Sequence, residues 1–142
     1  MAHKTMLNVE PFVDSTPLLE SAEELRVRAA EQGYLFFGGL LDAESVLDLR
    51  RQILEVCHKH GWLDKEAPLM DGVARDDSLF IEGHSPEWIA LYTDVQRLRA
   101  FNALALDAAI LSMLATLFGE QPLPHSRNIC RVIFPNATTH TT

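Results

Sequence analysis

Ile129-Cys130-Arg131-Val132-Ile133-Phe134 is the last stretch of the chain with a readable pattern. Pro135 follows it, and then the polar run Asn136-Ala137-Thr138-Thr139-His140-Thr141-Thr142. Apolar and β-branched residues in a short run ahead of a proline predict a strand. A strand this apolar needs partners on both sides. The sequence upstream reads mostly as helix, so partners are scarce. This stretch therefore predicts an α+β chain dominated by helix whose sheet is only begun.

Working outward, Pro122 and Pro124 break regular structure ahead of the strand, and Gly119 closes a helix. That helix is predicted over 108–118, with Asp107 as N-cap and Ile110, Leu111, Met113, Leu114, Leu117 and Phe118 as its apolar face. A short helical piece near 99–106 precedes it. Ser85-Pro86-Glu87 opens a helix over 86–98 carrying Trp88, Leu91, Tyr92 and Val95, with Pro86 at the first helical position. Residues 62–84 read as an irregular acidic linker. Asp42 caps a helix over 43–60 whose stripe is Val46, Leu49, Ile53, Val56 and Cys57. Ser21 and Glu24 fit a capping box for a helix over 22–32, which Gly33 ends. Tyr34-Leu35-Phe36-Phe37 is predicted as a strand, and residues 1–17 as a loose lead-in to a single domain. The expected core is Leu35, Phe37, Val46, Leu49, Ile53, Val56, Leu91, Val95, Ile110, Leu114, Leu117 and Phe118.

With 142 residues, 47% hydrophobic and 23% charged, the chain has the composition of one globular domain. Its net charge of −8, with no basic run, argues against a nucleic-acid partner, which needs a surface that neutralises phosphates. Residues 98–118 carry Arg99, Asn102 and Asp107, so they read as two buried helical pieces and not as a membrane span. Residues 1–10 lack an apolar leader core. Together with two apolar-flanked cysteines, Cys57 and Cys130, this points to reduced thiols and a cytoplasmic location.

Four blocks occur in order along the chain: Glu31-Gln32-Gly33-Tyr34-Leu35-Phe36-Phe37-Gly38-Gly39-Leu40-Leu41-Asp42; Met70-Asp71-Gly72; Phe101-Asn102-Ala103-Leu104-Ala105; and Leu117-Phe118-Gly119-Glu120 running on to Pro124-His125-Ser126-Arg127-Asn128-Ile129-Cys130-Arg131. In order and spacing they resemble the N-terminal portion of the phytanoyl-CoA dioxygenase family. The resemblance covers about residues 25–142. It implies a double-stranded β-helix (jelly-roll) core that holds Fe(II) by two histidines and a carboxylate, leaving positions for 2-oxoglutarate and O2. It implies hydroxylation of a small molecule, without identifying which. No His-x-Asp or His-x-Glu occurs in the sequence, and His140 is followed by Thr141-Thr142. The family's metal ligands are therefore expected beyond Thr142, and the chain alone is expected to hold no iron and to be inactive. The expected partner is the missing C-terminal half, or a second copy through the final strand. The alternative is a non-catalytic helical interaction or scaffold module derived from that fold.

Some residues invite a site reading. Arg131 shares a strand face with Ile129 and Ile133, so an inward Arg131 needs an anion, either the cosubstrate carboxylate or a protein Asp; the plainer reading has it facing water. Asn128 is a candidate cosubstrate contact. His58 and His60 lie two apart on a helix and point apart, which suits helix-end charge better than a metal pair. Asp76, Asp77, Glu82 and His84 read as a solvated acidic loop before a cation site. His125 reads as a structural histidine, and Trp62 and Trp88 as packing residues.

Overall fold

The computed structural model describes residues 10–76 and 84–134. Among the described residues five α-helices form: α1 (Ala22–Gln32), α2 (Ala43–Lys59), α3 (Pro86–Gln96), α4 (Arg99–Leu104) and α5 (Ala108–Phe118). Single 3-10 turns lie at Thr16–Leu18 and Leu69–Asp71.

The helix ends follow from local chemistry. Ser21 Oγ accepts from the Glu24 N–H, Asp42 Oδ2 from Ser45 and Ser85 Oγ from Trp88, so each satisfies an amide that a helix start leaves orphaned. Gly33 ends α1 with φ 74°, a left-handed conformation that glycine adopts without strain.

The expected α+β architecture, with the first strands of a jelly roll, does not form: no strand and no sheet occurs among the described residues. Phe36 makes a single parallel bridge to Asp14, and residues 129–134 pair with no described segment. Both stretches have the side chains of a strand, but a strand is completed by a neighbour's hydrogen bonds.

The chain divides into two compact units, Met1–Leu40 with Leu111–Pro122, and Leu41–Ile110 with Leu123–Thr142. In the first, residues 10–18 are held more tightly than a loose lead-in. Asp14 Oδ1 accepts from the Thr16 N–H, the Thr16 hydroxyl and the Gly38 N–H, and the Ser15 N–H donates to the Phe36 carbonyl at 2.6 Å. These bonds hold the Asp14 carboxyl below its ordinary range, the Thr16 hydroxyl first among them. Phe12 packs on Tyr34 and Phe36. Leu25 and Ser15 are fully buried. Arg26 Nε donates to the Leu117 carbonyl at 2.7 Å.

In the second unit α2 packs on α3, α4 and the Leu69–Asp71 turn. The core joins Val56, Cys57, Trp62, Leu63, Leu91, Val95 and Phe134. Residues 62–75, expected as irregular, close into a hairpin-like loop. Leu63 bridges Ala74, Asp64 N–H donates to Val73 O, and Arg75 N–H donates to Trp62 O.

Of the expected core, Leu49, Val56, Leu91 and Val95 are buried. Leu35, Phe37, Ile53, Ile110, Leu114 and Leu117 are only half-buried, Val46 is exposed, and Phe118 is 60% exposed. Residues 98–118 do form two helices, yet neither contains a fully buried residue. The stretch Arg99–Phe118 is long and apolar enough for a membrane span by length and composition alone. It is interrupted after Leu104, and Asp107 Oδ1 accepts from the Ala109 N–H at the restart.

Candidate functional site

The sequence-predicted site residues fall in the second unit, around the point where residues 128–134 lie on α3. Exposure alternates along this segment: Asn128, Cys130, Val132 and Phe134 are covered, while Ile129, Arg131 and Ile133 are exposed. Phe134 is buried, with its ring 5.5 Å from that of Trp62, and Cys130 and Val132 pack against the same cluster. Burial pushes the Cys57 thiol up to about 11, with the nearby Cys130 adding to it, and burial raises Cys130 as well. Both are held as thiols at neutral pH, poor as nucleophiles or metal ligands.

Asn128 is a tether. Its carbonyl accepts from the Tyr92 hydroxyl at 3.1 Å and from Gln96 Nε2 at 2.6 Å, two side chains one turn apart on α3. Its Nδ2 donates to Asn102 Oδ1 on α4 at 3.3 Å, and Asn102 Nδ2 donates to the carbonyls of Gln96 and Leu98. These bonds hold the segment to α3 and α4. Arg131 is exposed, has no ion pair among the described residues, and stands on the open face with Ile129 and Ile133.

A charge cluster around Asp94 was not anticipated from the sequence. Asp94 on α3 accepts from Lys59 Nζ at 2.9 Å, sits 3.0 Å from His60 Nε2 through the same oxygen, and has Arg97 Nη1 3.6 Å from its other oxygen. The Lys59 and His60 hydrogen bonds hold its carboxyl down to about 2. Asp94 lies 35 residues from Lys59, so no local pattern connects them.

His58 and His60 do not meet. His60 caps α2 and turns to Asp94, while His58 lines an open cleft of about 340 Å3 with Glu55, Lys59, Ala67 and Leu69. In the acidic loop, Asp77 and Glu82 lie outside the described residues. Asp76 is exposed, and His84, with φ 68°, has its ring 5.3 Å from Trp88, which stacks on Tyr92 at 4.8 Å. His125 forms a local turn, its Nδ1 accepting from the Arg127 N–H at 3.0 Å. Trp62 is core, and Trp88 is half-buried on α3.

Among the described residues no three of His, Cys, Asp and Glu converge as a metal site. The one His–carboxylate pair among the described residues, His60 with Asp94, is filled by an ammonium and a guanidinium, which repel a cation. The described donors therefore do not fit iron. Comparison with models of known families, with curated proteins and with solved structures finds no match to this chain.

Proposed function

We propose that this chain is the helical part of a non-haem Fe(II)/2-oxoglutarate-dependent dioxygenase similar to the phytanoyl-CoA dioxygenase family, and that it supplies none of the iron ligands. The observation that carries the reading is the order and spacing of the four blocks from Glu31 to Arg131. Three of them coincide with places where the chain must change direction, the second being the Leu69–Asp71 turn that Gly72 ends. Gly33 closes α1 and Asp42 caps α2 within the first block, and Gly119 closes α5 within the last. The role left to these residues is packing: α2, α3 and α4 form a layer on which residues 128–134 are anchored. The iron-binding motif, His-x-Asp with a distal His, belongs on residues other than these 142. The substrate is a small molecule.

Sequencing the gene past codon 142 tests this. A continuing frame that encodes His-x-Asp and a distal His, and whose product converts 2-oxoglutarate to succinate and CO2 with Fe(II) and O2, is the expected result. The 142 residues alone are expected to form no succinate. Chelator-sensitive succinate production by them alone would overturn the proposed division of labour. A stop codon followed by unrelated sequence would overturn the oxygenase reading in favour of a non-catalytic interaction module. Ile89, Ile129 and Ile133, exposed apolar residues of the second unit, favour that second reading.

A further inference from the structure

Residues 129–134 are anchored on one side and open on the other. Cys130, Val132 and Phe134 pack toward the core, while Ile129 is 67% and Ile133 62% exposed, with exposed Arg131 between them. Alternation with a period of two is the signature of extended backbone. No backbone group from Ile129 to Phe134 makes a backbone hydrogen bond to another described residue. The anchoring is already complete: Phe134 is seated against Trp62 and the Asn128 carbonyl is fixed by Tyr92 and Gln96. An extended segment anchored at both ends, whose amides and carbonyls no described residue pairs, is a template for a further strand.

We propose that residues 129–133 bind an extended strand of another polypeptide, one that sets a carboxylate between two apolar residues on the open face. Directly opposed side chains on one face of a strand pair interact, and an arginine is best met by a carboxylate. Isoleucines two residues to either side of Arg131 call for apolar neighbours at the same spacing. A second copy of this strip does not meet the requirement. Opposed antiparallel about its centre it sets Arg131 against Arg131, and slipped by two residues it sets Arg131 against isoleucine and Ile133 against Arg127. No overlapping register gives the guanidinium a carboxylate. The proposal rests on the geometry of this segment and not on the oxygenase reading, so either can fail alone.

The test uses the 142-residue chain and the peptide acetyl-Thr-Val-Thr-Glu-Thr-Val-Thr-amide, followed by hydrogen exchange and titration calorimetry. At saturating peptide, the amides of residues 129–133 are expected to exchange at least about tenfold more slowly, with the helices unchanged. Arg131→Glu, on an exposed side chain, is expected to weaken binding about fivefold, the scale of one cross-strand ion pair. The peptide with Lys in place of Glu is expected to recover that loss on the variant. Unchanged exchange at millimolar peptide would overturn the proposal. Equal affinities across the four protein–peptide pairs would do the same, as would slowing that needs no peptide and rises with protein concentration.

Discussion

In the second unit, seven side chains from α2, α3, the hairpin-like loop and the final segment close into one buried cluster, whereas among the described residues of the first unit only Leu25 and Ser15 are closed off from solvent. The difference does not lie in apolar content. α5, with the sequence AAILSMLATLF, is the more apolar helix yet has no buried residue, while the more polar α2 buries Leu49, Val56 and Cys57. An apolar face gains from burial only where another element covers it. α2 has α3, α4 and a loop against it. The apolar stripe of a helix is thus an offer of packing, and the second unit is where the offer is met.

The sharpest way to break this contrast is at Trp62. Trp62→Ala is expected to cost about 3–5 kcal/mol in urea unfolding, since it empties the seat of Phe134. Phe118→Ala, at a 60% exposed position in the first unit, is expected to change stability by under about 0.5 kcal/mol. Equal costs would show that the two units are not packed differently. A narrower comparison sets Leu91→Ala against Leu114→Ala. The first should lose about 2–5 kcal/mol, the second about half as much, because Leu91 is buried and Leu114 already sees solvent. Leu114 costing more than Leu91 would mean that α5 is covered in solution.

The smallest effect expected is electrostatic and again belongs to the second unit. Asp94 titrates at about 2 in the folded chain, against an ordinary value of 3.8. A carboxyl depressed on folding contributes stability that is full above its unfolded value and is lost as pH falls through its folded one. Urea midpoints should therefore decline between about pH 4 and pH 2, and Asp94→Asn should flatten that part of the decline. A variant with the same acid profile would show that the Lys59–His60–Asp94 group contributes nothing to it.

The helices were legible in the sequence because their signals are local. Ser21, Asp42 and Ser85 start them, Gly33, Gly61 and Gly119 follow their ends, and these chemistries act within a few residues. The two expected strands were not, because pairing depends on distant backbone. Phe36 finds only Asp14, and residues 129–134 find nothing among the described residues. The alternation that suggested a strand at 129–134 survives as alternating burial, so the pattern of faces was right and the ladder was not. Of the candidate site, the face shared by Ile129, Arg131 and Ile133 and the divergence of His58 and His60 could be read from period and helix geometry, but not which way that face turns. Asp94 and the Asn128 tether could not. Each joins residues more than 30 positions apart through single polar contacts, which leave no periodic trace.

That tether also governs how the sequence can drift. The acceptor is the Asn128 main-chain oxygen, and both of its lone pairs are occupied, by Tyr92 and Gln96. Every residue type supplies the same oxygen, so replacing the side chain at 128 removes only the 3.3 Å contact to Asn102. The information that fixes where the chain crosses α3 is stored at positions 92 and 96, remote in sequence from the segment it positions. Position 128 should tolerate wide substitution, while Tyr92→Phe and Gln96→Leu would each leave the carbonyl one donor short.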